Sequence, residues 1–60
     1  MTTLREWRDK KAISIRELAI TSGISTVTIV HVENGLHKPR HITKKKLAQA
    51  LGLKPEEIDF

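Results

Sequence analysis

The chain contains no cysteine, which excludes disulfides and thiolate metal sites. It has only two aromatic residues, Trp7 and Phe60, and its β-branched residues sit at helical spacing, so strand signals are weak. No apolar run approaches the ~20 residues needed to cross a bilayer. Residues 1–7 lack the apolar stretch of a secretory signal, so a cytoplasmic location without membrane contact is expected. Internal repeats, low-complexity tracts and a glycine-rich phosphate loop are also missing. At 60 residues the chain is expected to be one domain, residues 1–60. A domain of this size buries only about 60% of the surface its unfolded chain exposes. Without disulfides, its stability must come from well-capped, well-packed helices or from a partner chain.

The same absences bear on chemistry. An active site needs a concave pocket, and so short a chain has little room for one. Ser14 and Ser25 are better explained as helix caps than as nucleophiles. Of the acidic cluster Glu56, Glu57 and Asp59, the two glutamates suit a helix start, where acids favour the dipole. The three histidines, His31, His37 and His41, invite a metal reading. Pro39 interrupts the helix that would bring His37 and His41 to one face, and no thiol assists. The expectation is no enzyme, no metal, no cofactor and no small-molecule substrate.

What is present is a modest positive charge and clear helix punctuation. Lys and Arg number 11 against 7 acids, a formal charge of +4. This favours a polyanionic partner, although a basic solvated surface would carry the same charge. Thr3 with Glu6, and Ser14 with Glu17, have capping-box spacing. Ser25 is a good N-cap. Gly23, Gly35 and Gly52 each follow an apolar-periodic segment, where a left-handed residue is wanted. Pro55 suits the first position of a last helix. Five short helices are predicted, near 3–11, 14–22, 25–34, 41–51 and 54–59. Their buried stripes are Leu4 and Trp7; Ile15, Leu18 and Ala19; Ile29 and Val32; and Leu47, Ala48 and Leu51. Ile13, Ile24, Leu53 and Ile58 fill the junctions.

The second and third helices are joined by only Ser22-Gly23-Ile24. Two helices with so short a glycine-containing turn cross at a large angle, as in a helix-turn-helix, here about 14–34. A generic helical hairpin is the alternative. The third helix, about 25–34, is unusual outside its buried stripe. Thr26, Val27, Val30 and His31 replace the Lys and Glu of a solvated face. Hydroxyls can bond base edges in a DNA groove, and apolar groups can contact the thymine methyl. Burial of Val27 and Val30 against another helix or chain is the competing explanation. Ser25 and the free N–H groups of the helix start form a natural phosphate site, which would fix register while Thr26, Val27 and His31 read sequence. Between residues 38 and 46 there are five positive charges and no acid. Lys38 and Arg40 suit phosphate contact. Lys44, Lys45 and Lys46 span most of a turn and cannot all face DNA.

Taken in order, Ile13-Ser14-Ile15-Arg16-Glu17-Leu18-Ala19, Gly23-Ile24-Ser25, Ile29-Val30-His31-Val32-Glu33-Asn34-Gly35, Lys38-Pro39 and Leu47-Ala48-Gln49-Ala50-Leu51-Gly52-Leu53 resemble the phage-repressor (Cro/cI, Xre) helix-turn-helix family over nearly the whole chain. The resemblance implies an all-α, five-helix, lambda-repressor-like domain that binds operator DNA, usually as a dimer. It places base contacts at Thr26, Val27 and His31, phosphate contacts at Thr28 and Asn34, and a basic contact near the backbone or minor groove at Arg40. It also implies a structural ion pair between Arg8 and Glu33. Two positions depart from the pattern. Ile15 stands where the family commonly has a phosphate-contacting Gln, a contact Arg16 would have to replace. Lys44 stands at a common apolar position, where Ile42 would take over the packing while the Lys44 stem snorkels.

The function expected is sequence-specific binding of double-stranded DNA as a transcriptional regulator, a repressor, with the recognition helix in the major groove. A homodimer would place two such helices ~34 Å apart on a near-palindromic site. Ile58 and Phe60 are candidates for its contact, unless they pack on their own core. The alternative is a protein-interaction module, such as an antitoxin or adaptor, with Val27 and Val30 covered by protein.

Overall fold

A computed structural model describes residues 2–36 and 38–60; His37, one of the three histidines weighed for metal, lies outside the described residues. The described chain is helical: α1 (Leu4–Lys10), α2 (Ile15–Ser22), α3 (Thr26–Glu33) and α4 (His41–Ala50), then a single 3-10 turn at Pro55–Glu57. The expected fifth helix is therefore only that turn. Ile58 leaves helical geometry for extended backbone (φ −110°, ψ 131°), which puts its side chain into the core. Asp59 then pairs with Thr3 in an isolated parallel bridge, its N–H donating to the Thr2 carbonyl at 2.8 Å. Long-range pairing of the two ends overrides the local helical preference.

Local chemistry sets the helix starts. The Thr3 hydroxyl accepts the Glu6 N–H, and the Glu6 carboxylate accepts the Thr3 N–H at 3.2 Å, a complete capping box. Ser14 caps α2 by accepting the Glu17 N–H at 3.0 Å. Hydrogen bonds from the Thr3 backbone and hydroxyl hold the Glu6 carboxyl below its ordinary value. A lowered folded-state value means this contribution is complete above the unfolded carboxylate range and fades as pH falls through the folded value. Melts of the wild type and Thr3→Ala followed by circular dichroism should differ by a constant gap near neutral pH, and by a smaller gap in acid. A gap that widens in acid would contradict the sign.

Gly23 ends α2 in the left-handed region (φ 76°), its N–H bonded to the Ala19 carbonyl at 2.9 Å. This is the sharp turn into α3. Ala12 ends α1 in the same region (φ 54°) without being glycine, and the Ile13 N–H then reaches back to the Arg8 carbonyl at 3.0 Å. A left-handed alanine costs roughly 1–2 kcal/mol, against about 0.4–1 kcal/mol of extra unfolded-state entropy for glycine. Ala12→Gly is expected to stabilise the domain by about 0.5–1 kcal/mol. For so small a domain that is a melting increase of roughly 2–8 °C. An unchanged or lower Tm would show that Ala12 carries no strain.

The core consists of Leu4, Leu18, Ile29, Val32, Leu47, Ala48, Leu51 and Ile58, surrounded by half-buried Trp7, Ile13, Ile15, Ala19, Ile24 and Leu53. α2 is central to it and packs on both α3 and α4. Ile58 is 4% exposed, so of the two places open to it, it takes the junction in the core of its own chain and is not available as a dimer contact. Phe60 is half-buried against the same core. Ile42 does not take over the packing assigned to it, for it lies exposed on the surface. Lys44 precedes the buried Leu47 and Ala48 by three and four residues and shares their face; Ile42 does not. The Lys44 stem is half-buried, and its ammonium sits 5.8 Å from the Phe60 ring centroid, a cation–π contact.

Candidate nucleic-acid interface

The candidate interface is held from behind by one ion pair. Arg8 on α1 donates from Nε to Glu33 Oε2 at 2.9 Å and from Nη2 to Glu33 Oε1 at 3.4 Å, while its Nη1 donates to the Ile13 carbonyl at 3.0 Å. The side chains of Arg8 and Glu33 are only 14% and 5% exposed. The hydrogen bond to Glu33 holds the Arg8 guanidinium above its ordinary value, against the opposing effect of burial. Glu33 is the last residue of α3, so the pair ties that end of α3 to α1 and to the turn at Ala12–Ile13. The expected structural pair is present.

α3 starts at Ser25, whose hydroxyl accepts the Thr28 N–H at 3.2 Å and donates to Thr28 Oγ1 at 2.8 Å. Ile29 and Val32 are buried beneath the helix. On the other side, Ser25 and Thr26 are exposed and Val27 is 60% exposed. Thr28, Val30 and His31 are half-buried, so Val30 is more covered than its place beside Val27 suggested. Asn34 follows the helix, exposed, with its N–H on the Val30 carbonyl at 3.0 Å. α3 thus presents one side to the body and leaves Thr26 and Val27 exposed on the other.

The cationic candidates surround this face in sequence and are all exposed: Arg16 in the first turn of α2, Lys38 in the loop and Arg40 at the start of α4. Lys45 and Lys46 are exposed as well. Ile15 packs partly against the core, which explains an apolar residue where a polar one was anticipated. The Ser25–Thr28 hydroxyl pair was not anticipated as a unit; its signal is hydroxyl residues at N-cap and N3. Exposed Ile20 (75%) and Leu36 (66%) also escaped notice. The cleft between the start of α1, the end of α3 and the C-terminal residues encloses about 200 Å³, less than the ~300–1,000 Å³ of small-molecule sites. Among the described residues no three His, Asp or Glu side chains form a group able to hold a metal ion, and no helix is long and apolar enough to cross a membrane.

Comparison with known proteins agrees with this geometry. A family model described as helix-turn-helix matches residues 4–58. The chain is 41% identical over 56 residues to the uncharacterized HTH-type transcriptional regulator RghRB of Bacillus subtilis, covering 92% of this chain and 40% of that protein. It is 39% identical over 58 residues to the HTH-type transcriptional repressor RghR of the same organism, covering 95% of this chain and 43% of the relative. An uncharacterized HTH-type transcriptional regulator of Mycobacterium bovis is 35% identical over 52 residues, which is 87% of this chain and 20% of the relative. The chain therefore spans less than half the length of these curated relatives.

Proposed function

The chain belongs to the helix-turn-helix family of transcriptional regulators, and from that premise we propose that it represses transcription by setting α3 into the major groove of a double-stranded DNA operator. The observation that carries this reading is Val27, 60% exposed on a helix whose opposite side holds fully buried Ile29. An apolar side chain kept on the surface beside Thr26 suits a groove lined with thymine methyls and base-edge hydrogen-bonding groups. In this reading Thr26, Val27 and His31 meet base edges. Ser25, Thr28, Asn34, Arg16, Lys38 and Arg40 meet the phosphates, through backbone N–H groups, hydroxyls and cations. The Arg8–Glu33 pair fixes the pitch of α3 against the body.

The test is a DNA titration across salt concentration. Affinity should fall linearly on a log–log plot, with a slope near −0.9 per neutralised phosphate, and Lys38→Ala should reduce that slope by about 1. No binding to a mixed pool of random duplexes at low salt would overturn the proposal. It would favour a protein-interaction module, for which exposed Ile20 and Leu36 supply apolar surface.

A single domain covers little DNA, so useful affinity calls for two copies or a second DNA-binding element. A homodimer on a near-palindromic operator is the form proposed. With Ile58 committed to the core, its apolar contact would have to come from half-buried Phe60 or from exposed Ile20, Leu36 or Ile42. Sedimentation of wild type and Phe60→Ala at high micromolar concentration should show a dimer for at least one of them. Monomers in both would remove dimerisation in the absence of DNA.

A further inference from the structure

We infer that the outer face of α4 docks an acidic, amphipathic segment of a partner protein. Charge is unevenly spread along the chain. Residues 34–55 carry six cations, Lys38, Arg40, Lys44, Lys45, Lys46 and Lys54, and no acid, while the remainder carries five cations and seven acids. The whole positive excess therefore lies in the stretch that contains α4. Within it, Ile42, Lys45, Lys46 and Gln49 recur at the three- and four-residue spacing of one helix face, and all four are exposed. Leu47 and Ala48, on the opposite side, are buried in the core. Among the described residues neither Lys45 nor Lys46 is paired with an acid. By contrast, α1 mixes Arg5 and Lys10 with Glu6 and Asp9, as a merely solvated helix does.

Ile42 decides the kind of partner. It is 55% exposed at the start of this cationic face. Phosphates would use the lysines and gain nothing from Ile42. A second copy related by a two-fold axis would set lysines against lysines, which repel. A lipid surface needs a helix with a broad apolar face outward. That face of α4 is spent on the core, and Ile42 is its one large apolar side chain turned to solvent. An acidic protein segment with apolar side chains matches both features. Its carboxylates meet Lys45 and Lys46, and an apolar anchor covers Ile42. Complementary charge speeds encounter and fixes register, while the apolar anchor slows release. This face shares no residue with the outer side of α3, so the inference goes beyond the DNA reading.

Fluorescence anisotropy tests this with a labelled synthetic peptide of repeated Glu-Leu-Glu-Glu units, and with a control peptide in which serine replaces every leucine. The full chain should bind the leucine peptide saturably at high micromolar concentration, and the control about five- to tenfold more weakly. Ile42→Ser should lower the leucine peptide to the level of the control. Lys45→Gln with Lys46→Gln should remove binding of both peptides, and rising salt should weaken both. Val27→Ser, on α3, should bind them like the wild type. The substituted positions are all exposed, and circular dichroism checks each fold. Should a variant melt early, Ile42→Ala and Lys46→Gln alone carry the test, each weakening the leucine peptide.

No saturable binding of the leucine peptide would overturn the inference. So would equal binding of the two peptides, or full affinity in Ile42→Ser, since only a diffuse attraction of charge would remain. Loss in Val27→Ser in place of Ile42→Ser would move the contact to α3. Self-association of the chain, or binding to vesicles of anionic lipid, that Ile42→Ser abolishes would give this face to a second copy or to a membrane, and either overturns the inference. A duplex titration keeps the DNA reading distinct. Lys45→Gln with Lys46→Gln should leave its salt slope unchanged. A slope reduced by about 2 would assign both lysines to phosphates, overturning the inference and sparing the DNA reading. The peptide titration uses no DNA, so failure of the DNA reading leaves its outcome intact.

Discussion

Arg8→Ala should cost the domain about 3–5 kcal/mol, a large share of its stability. Arg8 and Glu33 are paired bidentately, with Glu33 only 5% exposed. Removing one partner of a buried pair leaves an uncompensated charge and costs about 3–5 kcal/mol. At roughly 0.05–0.15 kcal/mol per residue, a chain of this length has a total stability of only ~3–9 kcal/mol. The loss of Arg8 also strands the Ile13 carbonyl that Nη1 satisfies, just after the left-handed Ala12. The raised Arg8 value means the pair's contribution is present below the unfolded arginine value and disappears only as pH rises through the folded one, in strong alkali. Urea unfolding followed by circular dichroism reads the effect. A loss under about 1 kcal/mol, typical of an exposed pair, would contradict it. Replacing both partners with apolar residues, Arg8→Met with Glu33→Leu, should recover much of the stability, because no charge is then left buried alone.

Changing Thr26, Val27 or His31 should alter which base is preferred, each at its own operator position, and weaken the original operator roughly ten- to a hundredfold. These residues lie along the outer side of α3, and Val27 exposes most apolar surface among them. A valine can read a thymine only by its C5-methyl, so replacing thymine with uracil at the base facing Val27 should mimic Val27→Ala. In the Val27→Ala background the same replacement should have little further effect. Lys38→Ala should weaken all duplexes alike, since a phosphate contact carries no sequence information. Selection from random duplexes with each variant separates the two patterns. Uniform loss from all four substitutions would show that the reading face has been assigned to the wrong residues.

Much of the fold was legible because it is set locally. Thr3, Ser14 and Ser25 cap the helices that follow them, and Gly23, Gly35 and Gly52 all take the left-handed conformation expected of them. Leu18, Ile29, Val32, Leu47, Ala48 and Leu51 recur at helical spacing and are buried. The errors lie where distant parts of the chain decide. The last helix yields to the bridge between Thr3 and Asp59. The Lys44 stem takes the place offered to Ile42. Ala12 was illegible for another reason: nothing in an alanine marks a left-handed turn. At the interface, residue types indicated the outward side of α3. The hydroxyl pair and the cover over Val30 depend on rotamers and neighbours that spacing does not specify.

The central claim is that the outer side of α3 enters a DNA groove. Backbone amide chemical shifts, recorded as a selected duplex is titrated into the wild-type chain, test it most directly. The largest changes should fall on Ser25–Thr28 and His31, with secondary changes at Lys38 and Arg40, while Leu18 and Leu47 remain quiet. Changes centred on Ile20 or Leu36 with α3 undisturbed would contradict it.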